Sequence, residues 1–301
     1  MRLTIAFIAV NVLFCQSAAG QTLFEFHSGF WLNLHQFLCS EQAAGASGAT
    51  EWQSAIEYYK REIIPRDLLS DEAAAVNFSL SLAGSEPALA VNGLDPELAA
   101  VLSKAAPLYR RLVWPGHDRT NRAWIASLEP LLARYGAPMS RELAAVWQTQ
   151  WPRAPIRVDV SAYAGTNGAY TTLDPAHITI TSTDASYQGD AALEMLFHEA
   201  SHTLDGNMRA ALTAELKRQN RLLHRRTFSH AILFYTAGEI AKRYLSDYEP
   251  YAIRNGVLER GWPGSVTILE KDWKPYLQGR TTLAEALDAI VTDYGEPKPA
   301  R

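Results

Sequence analysis

The chain has 301 residues, of which 48% are hydrophobic and 20% are charged. These proportions are typical of a soluble globular protein, and the length predicts one or two domains with a sizeable core. The formal net charge of −4 and the lack of any basic block argue against a nucleic-acid-binding function, which requires a positive surface.

The first twenty residues have the pattern of a secretory signal peptide. Met1 and Arg2 give a short positive start, residues 3–14 are largely apolar, and small residues follow up to Gly20. The apolar run is shorter than the ~20 residues of a membrane-spanning helix, so an N-terminal anchor is the less favoured alternative. We therefore predict an exported protein, periplasmic or extracellular, without a stable membrane span once residues 1–20 are removed.

The chain contains two cysteines, Cys15 and Cys39. Removal of the predicted signal peptide would leave only Cys39, so no intrachain disulfide is expected. Cys39 follows an apolar stretch that predicts a small buried side chain rather than a nucleophile. Stability is therefore expected to come from the hydrophobic core and from a bound metal.

Residues 21–150 are predicted to be almost entirely helical. The spacing of apolar residues places a first helix within 24–39 and further helices at 51–64, 71–82, 95–113, 121–135 and 140–151. Asp95 followed by Pro96 is a typical helix start, with an N-cap and a proline in the first turn. In the first helix, Asn33 and His35 are expected to pack in the core, and the alternative is that they border an active site.

After Pro152 the pattern changes to short strands, at 156–163, 169–172 and 176–182. The last strand leads into an apolar helix, which Gly206 is expected to end as a left-handed C-cap. Further helices are predicted at 209–223, 227–244, 248–260 and 282–294. The expected fold is α+β and predominantly helical, with a signal peptide (1–20), a helical N-terminal region (21–150) and a C-terminal core (151–301) that contains the strands. The last two regions are also compatible with one compact unit.

His198, Glu199 and His202 form the pattern His-Glu-x-x-His inside the apolar helix that follows the third strand. Residues four apart on a helix lie on one face, so the two imidazoles are placed to bind one metal ion. Glu199 projects about 100° around the helix, within reach of a metal-bound water but outside the ligand set. The alternative is a structural pair of buried histidines, which is costly beside a buried acid without a partner.

A catalytic zinc site usually has three protein ligands and one open position. Glu239 is the preferred third ligand, because it is the only acid in the apolar segment 230–241 and an ionised carboxylate there needs a cation. The alternative for Glu239 is an ion pair with Arg243, one turn later.

Three other residues compete with Glu239 for the third position, namely Asp205, His224 and His230. Asp205 shares the stripe of His198 and His202 but lies at the predicted helix end, where a supporting or capping role is more natural. His230 is nine residues before Glu239, about 180° away on a straight helix, so the two cannot bind from one face. Glu194, one turn before His198, is a further candidate for a supporting role.

The motif after a strand, with a glutamate on a later helix, resembles the zincin metallopeptidases of the gluzincin, or thermolysin-like, type. The resemblance covers the chain from His177 to Glu239. It implies one Zn²⁺ ion held by His198, His202 and Glu239, with Glu199 as general base. The chain departs from that family at Gly238, where Asn is frequent, and at Arg243, where Asp is frequent.

The resemblance implies metal-assisted hydrolysis of a peptide bond in a peptide or protein substrate. Glu199 would take a proton from the attacking water and pass it to the leaving amine. We expect the strand around 178–181 to pair with an extended peptide, and Tyr248 and Tyr251, with Arg254, to be candidate donors to the oxyanion. Two alternatives stay open: a non-peptidase zinc hydrolase, and an exported binding or scaffold protein with a structural or inactive zinc site.

Overall fold

The computed structural model describes residues 13–16, 22–67, 70–89, 93–165, 168–223 and 227–298. Over these ranges the fold is α+β and predominantly helical, as the sequence predicts. Residues 1–12 and 17–20 of the predicted signal peptide lie outside the described residues, so that assignment stays a prediction. Among the helices described, none is both long enough and apolar enough to span a bilayer.

A mixed sheet forms the centre of the fold. Its strands are β1 (Leu13–Gln16), β2 (Thr22–His27), β3 (Ile156–Ser161), β4 (Ala169–Leu173) and β5 (Ala176–Thr181). They lie in the order β1-β2-β3-β5-β4. The β2–β3 and β3–β5 pairs are parallel, whereas β1 and β4 each pair antiparallel with their neighbour. β5 is therefore paired on both sides, and β4 is an edge strand.

The first predicted helix lies within residues 24–39 as expected, at Phe30–Leu38, but the sequence did not predict strand β2, which takes up residues 24–27 of that range. Phe24 and Phe26 point into the core, and Phe24 lies opposite Ile156 of β3. The partner strand comes from the other half of the chain, so no local periodicity could reveal the pairing. A parallel partner also needs a long crossover connection, which the helices between β2 and β3 provide.

The described residues between β2 and β3 form six α-helices. Each overlaps a predicted helix, but one begins at Trp114 instead of residue 121, and the last ends at Val146 instead of residue 151. The six helices are α1 (Phe30–Leu38), α2 (Thr50–Tyr58), α3 (Asp71–Ala83), α4 (Pro96–Leu112), α5 (Trp114–Leu131) and α6 (Ala137–Val146). The Asp95 side chain caps α4 by accepting a hydrogen bond from Leu98 N at 2.9 Å. A π-helical segment, Leu132–Gly136, follows α5, which contains Pro130 in its last turn, and a proline disrupts the regular hydrogen bonds of a helix.

In the second half of the chain, the described residues form eight α-helices and a small two-stranded sheet. The helices are α7 (Asp190–Ser201), α8 (Gly206–Arg218), α9 (Phe228–Tyr244), α10 (Tyr251–Arg254), α11 (Val257–Gly261), α12 (Ser265–Ile268), α13 (Lys274–Leu277) and α14 (Leu283–Tyr294). Strands β6 (Arg221–Leu223) and β7 (Gly295–Pro297) pair antiparallel. Gly206 begins α8 rather than capping the motif helix, because turns at residues 202–205 already end α7 at Ser201.

Two hydrophobic clusters stabilise the molecule. The larger one joins β2, β3 and β5 to α5, α6, α7, α9 and α14. The smaller one lies among α1, α2 and α4. Elements from both predicted regions therefore pack in the core that holds the motif helix, and the larger core spans the predicted boundary at residue 150.

Candidate metal centre

The motif helix α7 is buried along almost its whole length. Every residue from 191 to 201 is buried, so α7 has no solvent-exposed face. A helix in such surroundings is normally apolar all round. Glu194, His198 and Glu199 are therefore exceptions, and each carries a buried polar group that needs a specific partner.

Three histidines form the centre of the site. His198 and His202 come from α7 and the turn after it, and His230 comes from the first turn of α9. One ring nitrogen of each lies within 4.8 Å of those of the other two. The ring centroids are 5.2 Å apart for His198–His202, 5.0 Å for His198–His230 and 5.0 Å for His202–His230. The rings thus form a nearly equilateral triangle.

The distances suit a single metal ion. The Nε2 atoms of His198 and His230 are 3.0 Å apart. Two nitrogens bound tetrahedrally at ~2.0–2.1 Å from zinc lie roughly 3.3 Å from each other. His198 is buried, while His202 and His230 are partly exposed, so the triangle is open to solvent on one side. An open side is typical of a catalytic site rather than a structural one.

The surroundings keep the three imidazoles neutral. Burial, followed by the neighbouring histidines, lowers the pKa of His198 well below its ordinary value of 6.5. Burial also lowers the pKa of His202 to about 3 and that of His230 to about 4. A neutral imidazole offers a lone pair, which is the form that binds a metal. The ring of Phe234 stacks on His198 with centroids 3.8 Å apart and holds that ring in place.

Glu239, the expected third ligand, lies elsewhere. Its Oε2 is 3.4 Å from Nζ of Lys274, in a separate pocket of about 470 Å³. Helix geometry explains the difference, because nine residues turn a helix through two and a half turns and place His230 and Glu239 on opposite faces of α9. The alternative ion pair with Arg243 is also absent, since Arg243 bonds instead to Glu142. The prediction of Glu239 is therefore corrected to His230.

The other residues that the sequence suggested for the site are not part of the histidine cluster in the described chain. Asp205 is buried in the wall of the cleft, 3.9 Å from Arg209, and burial raises its pKa to about 6. It is not one of the residues whose donor atoms cluster, within the described chain. His224 lies outside the described residues. Asn33 donates to the carbonyls of Gly29 and Val160, as expected of a core residue.

Glu199 lies beside the histidines and faces the edge strand. Its side chain is 4% exposed, and its Oε2 accepts a hydrogen bond from Thr171 Oγ1 at 2.7 Å. Burial raises the pKa of Glu199 to about 7, and the hydrogen bond from Thr171 opposes that effect. A carboxyl group with a pKa near neutrality is suited to accept and release a proton. Thr171 was not singled out by the sequence, because only the pairing of β4 brings it to α7.

The triangle opens into a large cleft of about 1600 Å³. Its lining includes β4, with Asp174 directly after it, and residues of α8 and β6. Asp71, Ala74 and Ala75 of α3 extend the lining into the N-terminal region. The expectation that residues 178–181 pair with a peptide is wrong, because β5 has no free edge. Of the two strands that form this end of the sheet, β5 and β4, it is β4 that has a free edge.

Glu194 and the two predicted tyrosines form one contact group. Tyr248 Oη donates to Glu194 Oε2 at 2.6 Å, and Tyr251 N donates to the same oxygen at 2.8 Å. Tyr251 also lines the cleft, where its ring centroid is 5.3 Å from that of Tyr187. Tyr248 is buried and, among the described residues, is not part of the cleft lining. Tyr251 thus keeps its predicted position near the site, whereas Tyr248 bonds to Glu194.

Comparison with protein-family models, with curated proteins and with solved structures finds no match for this chain. The geometry of the site is therefore the basis for the functional conclusion.

Proposed function

We propose that this chain is a zinc-dependent metallohydrolase, and most specifically a peptidase that cleaves peptide bonds. One observation carries the proposal: three neutral histidines converge beside a buried carboxyl group at the bottom of an open cleft. A structural zinc site is normally closed by a fourth protein ligand and has no need of a proton acceptor beside it. Because residues 1–20 have the pattern of an export signal, we propose that the protein acts in the periplasm or outside the cell.

His198, His202 and His230 are the residues that would hold one Zn²⁺ ion. A bound zinc ion supplies a Lewis acid that polarises a carbonyl group and lowers the pKa of a water molecule. Glu199 accepts the proton of the attacking water and delivers it to the leaving amine. Thr171 holds the Glu199 carboxyl group in place through its 2.7 Å hydrogen bond.

The edge strand β4 gives a reason to favour a peptide over other hydrolysable substrates. A free strand edge presents unpaired backbone N–H and C=O groups, which an extended peptide satisfies by strand addition. Thr171, in the middle of β4, contacts Glu199 directly. A peptide paired along β4 would therefore pass the proton acceptor and the three histidines.

The lining of the cleft also favours apolar side chains in that peptide. Arg209, Leu212, Thr213 and Leu216 of α8 all line the cleft, at the spacing of one helical face. Leu222 and Leu223 of β6 continue the same wall, and Leu222 is 47% exposed. An exposed leucine in a cleft is stabilised when it contacts an apolar group of a ligand.

The test is hydrolysis of casein and of a mixed peptide library by purified protein, with and without a chelator. Wild-type protein is expected to cleave peptides, and chelation is expected to abolish cleavage until zinc is restored. In Glu199→Gln, kcat is expected to fall about 10²–10⁴-fold, the usual contribution of a general base, with zinc retained. Bound zinc with no cleavage of any peptide, and cleavage of another ester or amide instead, would favour a non-peptidase hydrolase.

A further inference from the structure

Glu194 is a buried carboxyl group that the proposed chemistry does not use. It lies one helical turn before His198, and none of its surface is exposed. Burial raises its pKa to about 7, although hydrogen bonds from Tyr248 and Tyr251 and the charge of Arg254 act in the opposite direction. Removing a carboxyl group from water costs free energy unless hydrogen bonds compensate for the lost hydration. The residues that donate these hydrogen bonds to Glu194 therefore indicate its role.

The partners of Glu194 belong to the segment 248–251, which returns from α9 towards the cleft. The chain reverses at Asp247, whose φ of 55° lies in the left-handed region. Pro250 then packs so close to α9 that a Cβ on Gly238 would lie 2.6 Å from Pro250 Cβ and 3.2 Å from Glu194 Oε1. The segment is therefore wedged between α7 and α9, with its backbone held by one oxygen of Glu194.

Tyr251, at the end of this segment, lies in the lining of the cleft. Its backbone N donates to Glu194 at 2.8 Å, while its ring faces Tyr187 in the cleft. Tyr187 is itself fixed, because its carbonyl accepts from Trp124 Nε1 at 2.7 Å and its ring fills the space that a Cβ on Gly168 would occupy. The side chain of Tyr251 thus lines the same cleft as the three histidines, and its backbone is anchored to the motif helix.

We propose that Glu194 is a positioning residue that fixes Tyr251 as the hydrogen-bond donor to the oxyanion of the substrate. The inference rests on the proposed hydrolytic function for its kinetic part and on the geometry alone for its structural part. The proposed role of Glu194 differs from that of the histidines, because Glu194 contributes no atom to their cluster among the described residues. The rigidity of Tyr251, rather than metal binding, is what Glu194 provides.

The kinetic test combines Glu194→Ala with Tyr251→Phe. Each variant is expected to lower kcat roughly 10- to 100-fold, the range for one charge-assisted hydrogen bond, with KM and zinc content unchanged. The double variant is expected to be no slower than Tyr251→Phe alone, because both changes remove the same donor. Fully additive losses, or loss of zinc in Glu194→Ala, would overturn the proposal.

Two further variants keep the result interpretable. Glu194→Gln retains an acceptor for the Tyr251 N–H, so it is expected to restore most of kcat if Glu194→Ala folds poorly. Glu270→Ala is the matched control, because Glu270 accepts a hydrogen bond from Tyr235 Oη at 2.6 Å in the same way but lies outside the cleft lining. Glu270→Ala is expected to leave kcat unchanged.

Hydrogen exchange separates failure of this inference from failure of the proposed function. The Tyr251 amide is expected to exchange about 10- to 100-fold faster in Glu194→Ala than in wild type, whether or not the protein hydrolyses peptides. Amides of α7 and α9 are expected to keep their protection. Unchanged exchange at Tyr251 would contradict the inference, whereas a wild-type protein without any hydrolytic activity would contradict only the proposed function.

Discussion

His230 and Glu239 illustrate how single residues on one helix acquire different roles. The sequence favours Glu239 because no cation is available within its own apolar segment. The cation is Lys274, whose Nζ lies 3.4 Å from Glu239 and which stands 35 residues further along the chain. Local sequence contains no sign of that pairing. Because His230 and Glu239 lie on opposite faces of one helix, only one of them can face the motif histidines, and tertiary packing decides which.

The neighbours of Gly238 leave no room for a side chain at that position. An alanine methyl there would lie 2.6 Å from Pro250 Cβ, so the segment 248–251 would have to move. Gly238→Ala is expected to lower the free energy of unfolding by about 1–3 kcal/mol, the cost of overpacking, as measured by urea denaturation.

Gly116→Ala is the control for that measurement. Gly116 also lies in a helix, but a Cβ at this position meets nothing within 4 Å. Alanine is therefore expected to raise stability there by about 0.5–1 kcal/mol, because glycine costs more conformational entropy on folding. Equal effects of the two substitutions would show that the contact with Pro250 is unimportant.

Secondary-structure elements were predictable to different extents. The helices with strong apolar periodicity, such as α4 and α9, were correct to within a few residues. Strand β2 was missed, because a short apolar strand beside a helix has the same local composition as the helix. The position of β4 at the edge of the sheet also could not be predicted from the sequence, because it depends on the pairing of β5 with β3. The motif and Glu199 could be identified from sequence, whereas Thr171 and Tyr187 required the tertiary fold.

The face of α8 that lines the cleft is expected to set substrate preference. Leu216→Glu places a charge on that face, so kcat/KM is expected to fall roughly tenfold for peptides with apolar side chains near the cleaved bond. Peptides with basic side chains at the same positions are expected to be affected less or to improve. The measurement is a comparison of matched peptide pairs with the wild-type and variant proteins.

Leu112→Glu is the control for the change on α8. Leu112 ends α4, is 52% exposed and is not part of the cleft lining. The same substitution there is expected to leave the specificity ratio unchanged. If Leu216→Glu also leaves the ratio unchanged, α8 does not contact the substrate side chains.

Across the whole molecule, a buried ionic network joins the sheet to the N-terminal helices. Asp159 of β3 accepts hydrogen bonds from Arg157 Nε at 2.6 Å and from His177 Nε2 at 2.9 Å. The same arginine donates to the carbonyl of Ser81 in α3 at 2.8 Å. These hydrogen bonds therefore connect strands β3 and β5 to α3, a helix from the other predicted region.

The network predicts a loss of stability in acid. Burial alone would raise the pKa of Asp159, but the hydrogen bond from His177 and the charge of Arg157 outweigh it and lower the pKa below 3.8. A lowered folded-state pKa gives stability that is present above the unfolded value and is lost as pH falls through the folded one. The free energy of unfolding is therefore expected to fall below about pH 4.

Asp159→Asn is the variant that checks this assignment. It removes the titrating group while keeping the shape, so it is expected to be less stable than wild type at pH 7 and to lose less stability between pH 5 and pH 2. The measurement is the midpoint of urea unfolding across that range. Parallel pH profiles for the two proteins would assign the acid sensitivity to other carboxyl groups.

The most direct test of the three-histidine centre is the zinc content of purified variants, measured by elemental analysis. Wild-type protein and Glu239→Ala are expected to hold one zinc ion per chain, because Glu239 bonds to Lys274 instead. His230→Ala is expected to lose most of its zinc under the same dialysis, because only two of the three imidazoles remain. Full zinc occupancy in His230→Ala together with loss of zinc in Glu239→Ala would contradict the account.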